Sequence, residues 1–175
     1  MKRFWQSYYL TPRAYQVLGV LVFLFLMAYA LPVLFYPAEI VSYLLLVALL
    51  GDSVLLFRQR QMISAERSLA EKFSNGDENA VKLVVESRYG FPIFVKIIDE
   101  LPVQFQMRDQ SFQAWLSSYK PITFNYTLRP VKRGAYEFGV INVFVRSKLG
   151  LVQRRFQEGL SQEVAVYPSY VQMRK

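Results

Sequence analysis

Two long stretches near the start of the chain hold almost nothing that water would favour. No charged residue occurs from Ala14 to Ala38, and from Ile40 to Phe57 only Asp52 interrupts an apolar run. Each stretch suits a bilayer-crossing helix, which takes about 20 mostly apolar residues. Neither shows the polar stripe that a soluble bundle helix turns toward water. The run "VLGVLVFLFLMAYALPVLFY" also exceeds the roughly 7–15 residues of a signal-peptide core, and no clean small-x-small cleavage site follows it. The pattern predicts a two-helix transmembrane hairpin over residues 1–60, with spans at about 14–34 and 38–57. Leu31 to Glu39 is the expected turn, punctuated by Pro32 and Pro37. Pro37 near the start of the second helix sacrifices no backbone hydrogen bond there.

From Ile63 onward the period changes to two. Val81, Leu83 and Val85 alternate with Lys82, Val84 and Glu86; Ile93, Val95 and Ile97 share one face; Ile122, Phe124, Tyr126 and Leu128 alternate with Thr123, Asn125 and Thr127. Turn chemistry separates these runs at Ser74–Asn79, Gly90–Pro92 and Asp99–Pro102. Residues 61–170 are therefore predicted to form an all-β, Ig-like antiparallel sandwich, with seven or eight strands between Ile63 and Tyr170. Arg108 to Tyr119 reads as an irregular crossing with a short strand.

The stretch Arg129–Arg155, "RPVKRGAYEFGVINVFVRSKLGLVQRR", combines alternation, glycines and cations. Gly134 is placed to take positive φ in a turn. Tyr136 and Phe138 share one parity while Ile141, Val143 and Val145 share the other, so a β-bulge at Gly139 is expected to switch the face. Ser147–Gly150 turns the chain, Leu151 returns it, and Pro168 stops a last strand that includes Tyr167.

Charge sets orientation and narrows the chemistry. Lys2, Arg3 and Arg13 precede the first span, Arg58, Arg60 and Arg67 follow the second, and the loop between carries only Glu39. The positive-inside rule then puts both termini in the cytoplasm. Asp52 is the one intramembrane acid; pairing across the helices or with Arg58 outweighs ion handling. The basic residues Arg129, Lys132, Arg133, Arg146, Lys148, Arg154 and Arg155 have three readings: a solvated strand edge, a contact with anionic membrane lipids, or a docking surface for an acidic partner. The net charge is +8, yet no nucleic-acid motif accompanies it, so no nucleic-acid partner is expected.

The chain has no histidine and no cysteine, which removes the usual zinc ligands and both Ser–His–Asp and Cys–His catalysis. No glycine-rich phosphate loop is present. The pairs Asp99/Glu100 and Asp77/Glu78 fall in turn sequences where acids are ordinary. The expectation is a chain that is not an enzyme, with no catalytic residue, cofactor or metal site.

The segment with Arg133, Gly134, Tyr136, Phe138 and Gly139, then Ser147, Gly150 and Leu151, then Val166, Tyr167 and Pro168 resembles the bacterial membrane proteins of domain-of-unknown-function family 58. The resemblance covers essentially the whole chain. It implies a two-helix membrane hairpin, a cytoplasmic β-sandwich and an association with MoxR-type AAA+ ATPases. In that family a von Willebrand factor A-like domain follows; here no "DxSxS" motif occurs, so no metal site is carried over, and 171–175 is expected to begin a linker to such a domain. Gly134, Tyr136, Gly139, Ser147, Gly150, Leu151, Tyr167 and Pro168 are expected to serve folding. Arg133 and Arg154 are expected to be exposed and available for docking. The sequence thus predicts a scaffold or adaptor of the bacterial inner membrane that partners an AAA+ ATPase. The alternative is a component of a larger envelope or lipid-associated complex whose interfaces lie in the hairpin. Oligomeric state stays open.

Overall fold

The structure, a computed structural model, describes residues 6–106 and 110–168. Lys2, Arg3, Arg108 and the expected linker 171–175 lie outside the described residues. The chain divides into two compact units, Met1–Arg60 with Phe144–Arg155, and Gln61–Val143 with Phe156–Lys175. The strands are β1 (Tyr8–Leu10), β2 (Ile63–Leu69), β3 (Lys72–Ser74), β4 (Asn79–Ser87), β5 (Ile93–Asp99), β6 (Gln110–Leu116), β7 (Ile122–Leu128), β8 (Gly134–Phe138), β9 (Ile141–Arg146), β10 (Val152–Glu158) and β11 (Gln162–Tyr167). The helices are α1 (Pro12–Ala30) and α2 (Phe35–Phe57).

In the first unit, Thr11 caps α1. Its hydroxyl accepts from the Ala14 amide at 3.3 Å, and Pro12 fills the first helical position, where no amide is needed. Pro32 ends α1, because the residue before a proline is pushed out of the helical region. A single 3₁₀ turn, Pro32–Leu34, leads directly into α2. The turn is thus shorter than Leu31–Glu39, and Pro37 lies inside the first turn of α2. Both helices are long and apolar enough to cross a membrane. Ala28 and Ala38, buried on either side of the turn, let the helices approach closely. Most of the remaining apolar side chains, Val20, Phe23, Leu26, Leu44 and Val47 among them, point outward and are exposed. Beyond the helices, β1 pairs antiparallel with β10, setting Tyr8 opposite Arg154 and Leu10 opposite Val152. Sequence alternation assigned Phe144–Arg155 to the sandwich; it groups instead with the helices.

The second unit is built of antiparallel strands with one parallel pair. β4 lies between β2 and β7, and β11 lies between β8 and β3, the β3–β11 pair running parallel. β6 pairs with β5, whose other neighbour is β9. Phe73 of β3, Val81 of β4, Leu128 of β7, Tyr136 and Phe138 of β8, and Val164 and Val166 of β11 form one buried cluster with Leu101 and Phe105. This core joins the β2–β4–β7 and β3–β11–β8 sheets. It is aromatic: Phe73 meets Phe138 edge-on at 6.2 Å, and Phe105 meets Tyr136 at 4.9 Å.

Three expectations change here. Ten strands follow Ile63 among the described residues, more than seven or eight. Arg108–Tyr119 contains the regular strand β6, and the run from Tyr136 to Val145 is two strands. The face switch at Gly139 is therefore no bulge. β8 ends at Phe138, the chain leaves its sheet, and β9 begins at Ile141 beside β5. Gly139 is required by close approach: its amide donates to the Glu100 carbonyl at 3.0 Å, and an added Cβ would stand 2.8 Å from the Glu100 Cβ.

Candidate functional site

The sequence signature falls into both units, so its residues are best followed unit by unit. In the first, the turn Ser147–Leu151 is held from two sides. The Ser147 hydroxyl accepts from the amides of Leu149 (3.1 Å) and Gly150 (3.3 Å), and Gly150 takes φ +64°, which a side chain would strain. The Thr11 hydroxyl donates to the Gly150 carbonyl at 2.5 Å, and the Thr11 amide donates to Leu151 at 3.0 Å.

Asp52 belongs to this arrangement. It is fully buried, and its Oδ2 accepts from the amides of Leu151 (3.0 Å) and Val152 (2.8 Å). Its Oδ1 has no hydrogen-bond partner among the described residues. The expected partner, Arg58 or the other helix, is corrected: two backbone donors 99 and 100 residues away bond one oxygen of the carboxylate. Charge-assisted bonds of this kind are about twice as strong as neutral ones.

Arg154 is the second correction. Sequence placed it among exposed cations, but it is only 8% exposed. One Nη donates to the carbonyls of Leu56 (2.5 Å) and Gln59 (2.6 Å), the other to Arg60 (3.0 Å), and the guanidinium lies 4.8 Å from the Phe57 ring centroid. Leu56 is among the last four carbonyls of α2, which the helix leaves unsatisfied beside its partial negative end, and Gln59 and Arg60 follow the helix directly. Arg155 is half-buried, with its guanidinium 5.9 Å from the Phe144 ring centroid. Arg146 is also half-buried; burial first, then the charge of Arg13, holds its guanidinium below the usual arginine range. Lys148 alone of these four basic residues is exposed.

In the second unit, Arg129, Lys132 and Arg133 are exposed on the connection between β7 and β8. The Arg129 Nε donates to the Gly76 carbonyl, and the buried Tyr136 donates its hydroxyl to the Lys132 carbonyl at 2.9 Å, fixing the loop that carries them. Gly134 takes φ +137° at the loop's end. Tyr167 is exposed, with the Lys72 ammonium 5.2 Å from its ring centroid, and Pro168 follows the last strand.

Sequence reasoning missed a buried polar cluster here. Arg67 pairs with Asp99 through both Nε and Nη2, and also donates to the Gly139 carbonyl at 3.0 Å. The Tyr126 hydroxyl donates to the same carboxylate at 2.5 Å. Burial, then the Asp99 charge and hydrogen bond, pushes the Tyr126 hydroxyl far above its ordinary value near 10, with Arg67 opposing. Asp99 ends β5 and is no turn residue. Glu100 is engaged separately, accepting from Asn142. The signal was present: Arg67 shares parity with Ile63 and Ala65, and Asp99 with Ile93, Val95 and Ile97, so both polar side chains had to point inward. A cleft of about 300 Å³ opens beside Arg67, lined also by Glu66, Ile141, Gly159 and Leu160. Its arginine is already committed to Asp99 and Gly139. Among the described residues no three acidic side chains converge to hold a metal ion.

Neither the protein-family models nor the curated proteins give a match to the chain. Among solved structures, similarity extends to a chain of the zinc 2-glycoprotein–prolactin inducible protein complex from human seminal plasma, at 17% identity, covering 62% of this chain and 97% of that one with a TM-score of 0.49. The CARDB domain of the PF1109 protein from Pyrococcus furiosus is similar at 12% identity, covering 60% and 87% with a TM-score of 0.44. A β-glucosidase from Listeria innocua is similar at 15% identity, covering 61% of this chain and 16% of its own, with a TM-score of 0.34. Likeness at this level carries no function across.

Proposed function

We propose that the chain is a membrane-anchored, non-catalytic scaffold of a bacterial inner membrane. Its hairpin sits in the bilayer, both ends of the hairpin face the cytoplasm, and its Ig-like β-sandwich offers a surface to protein partners. The observation that carries the anchorage is the outward face of α1 and α2, whose apolar side chains stand exposed along both helices. Water penalises such a surface by about 25 cal/mol per Å² of apolar area, whereas lipid does not. Orientation rests on Arg13, Arg58 and Arg60 at one end of the hairpin against Glu39 near the other. The partner is an AAA+ ATPase of the MoxR type, a reading that rests on the family resemblance, and Arg129, Lys132 and Arg133 supply the exposed cations for docking.

The chain has no cysteine, so single thiols report topology cleanly. In spheroplasts, a membrane-impermeant maleimide is expected to label Val33→Cys, and to label Gln61→Cys only after lysis. The reverse pattern would sink the orientation, and release of the protein by alkaline carbonate would sink the anchorage. For docking, co-purification of the ATPase with the full-length protein is expected to be lost in the Arg129→Glu, Arg133→Glu double variant. Undiminished recovery would remove the loop from the interface.

A further inference from the structure

β6 is the outer strand of its sheet. Its ladder with β5 uses one side, and no other backbone hydrogen bond leaves Gln110–Leu116 among the described residues. Proteins normally protect such an edge with charge, proline or a covering segment. The sequence "QSFQAWL" carries neither charge nor proline, whereas the outer strands β2, β3 and β8 carry Glu66, Lys72 and Glu137. The strand is also incompletely packed. Its neighbours Val95 and Ile97 are fully buried, but Phe112 and Ala114 are only half so, although Phe112 stacks on Phe124 at 5.0 Å and meets Tyr126 at 5.7 Å. On the other face Trp115 is 54% exposed, with the Phe94 ring 5.4 Å away.

We propose that β6 is a pairing edge occupied by β6 of a second copy of this chain, the two strands running antiparallel about Gln113. In that register Phe112 faces Ala114, Ser111 faces Trp115, and Gln113 faces itself, so each large side chain meets a small one on both faces. Such cross-strand complementarity is what stabilises a sheet pair. Two copies of a protein with net charge +8 repel, and an uncharged strand is where they approach at least cost. β7 is equally uncharged, but pairing it with itself about Asn125 would set Phe124 against Tyr126, and the Tyr126 hydroxyl is committed to Asp99.

The test uses the full-length chain in detergent micelles. Sedimentation equilibrium is expected to give a dimer, and Gln113→Cys to form an intermolecular disulfide under mild oxidation, since paired Cα atoms lie about 4.5–5.5 Å apart. Lys82→Cys, exposed on the central strand β4, should stay reduced. Gln113→Lys, an exposed change that leaves the fold intact, sets like charges opposite each other and should weaken dimerisation about fivefold. A monomer at tens of micromolar would overturn the proposal. So would a dimer indifferent to Gln113→Lys and captured through Asn125→Cys or not captured at all.

Discussion

At the scale of single residues, Asp52 shows why a carboxylate can persist in an apolar helix. It collects two backbone amides that would otherwise be buried without partners. Asp52→Ala orphans both and is expected to lower stability by about 2–6 kcal/mol, since each unsatisfied buried amide costs about 1–3 kcal/mol. Asp52→Asn keeps an acceptor and should fall between; thermal unfolding in detergent orders the three. Gly139 is constrained differently. Gly139→Ala drives a methyl into Glu100 and should cost about 1–3 kcal/mol, read as a lower midpoint of thermal unfolding. Tyr126 gives a pH signature. Its folded-state value is raised, so its contribution is complete below about pH 10, where the unfolded phenol ionises, and is lost as pH rises further. Stability measured from pH 9 to 12 should therefore fall more steeply in the wild type than in Tyr126→Phe. Asp52 itself was visible in the sequence as an anomaly, but its partners were not. Hydrophobic pattern reports local parity and says nothing about which amides arrive from 99 positions away.

At the scale of elements, the period of the sequence carried most of the fold. Strict alternation marked β4, β5 and β7, and the polar turn Ser74–Asn79 is where β3 gives way to β4. Pattern was weaker elsewhere. Gln110–Leu116 has an inward set diluted by the small Ala114, so its alternation was faint, and in Ile141–Arg146 parity marked the strand but not its move to another sheet. Arg154 failed for another reason: a guanidinium in a basic run looks like surface unless something nearby needs five donors in a fork, and that need belongs to the end of α2. Arg154→Ala is expected to destabilise by about 2–3 kcal/mol, the worth of hydrogen bonds to a charged group. Arg154→Lys should recover only part of this, because an ammonium on a flexible stem lacks the guanidinium's rigid fork of donors. Amide exchange in the last turn of α2 would register both losses directly. The Arg67–Asp99 pair makes the matching test in the sandwich. Asp99→Leu alone should cost about 3–5 kcal/mol by stranding a buried guanidinium, and adding Arg67→Met should restore much of it. Equal loss in the single and double variants would show that the pair is not coupled.

For the whole molecule, three kinds of exposed surface are divided between the two units. The helices expose apolar side chains along their length; the sandwich exposes the cations of the β7–β8 loop and the uncharged edge of β6. Each surface answers to a different solvent or partner, and the substitutions named for one leave the others untouched. Raising ionic strength should accordingly weaken any contact made through Arg129 and Arg133, whereas β6 pairing, which only the mutual repulsion of two +8 copies opposes, should not weaken, since surface charges separated by more than about 8 Å are screened at physiological salt. Binding measured at 50 and 500 mM salt would separate the two.

The cap on α2 also fixes an order in time. The carbonyls of Leu56, Gln59 and Arg60 are made early in translation, yet the guanidinium that satisfies them belongs to Arg154, 98 residues after Leu56. A ribosome-bound chain that has reached only Val143 possesses both helices and every strand through β8, but Asp52 and the carbonyls after Leu55 still lack the partners that Leu151, Val152 and Arg154 supply. Those partners wait on one late turn, Ser147–Leu151, and the arginine just beyond it. Nascent chains arrested before and after this segment should differ sharply in protease cleavage at Arg58 and Arg60, with the earlier chain cut and the later one protected.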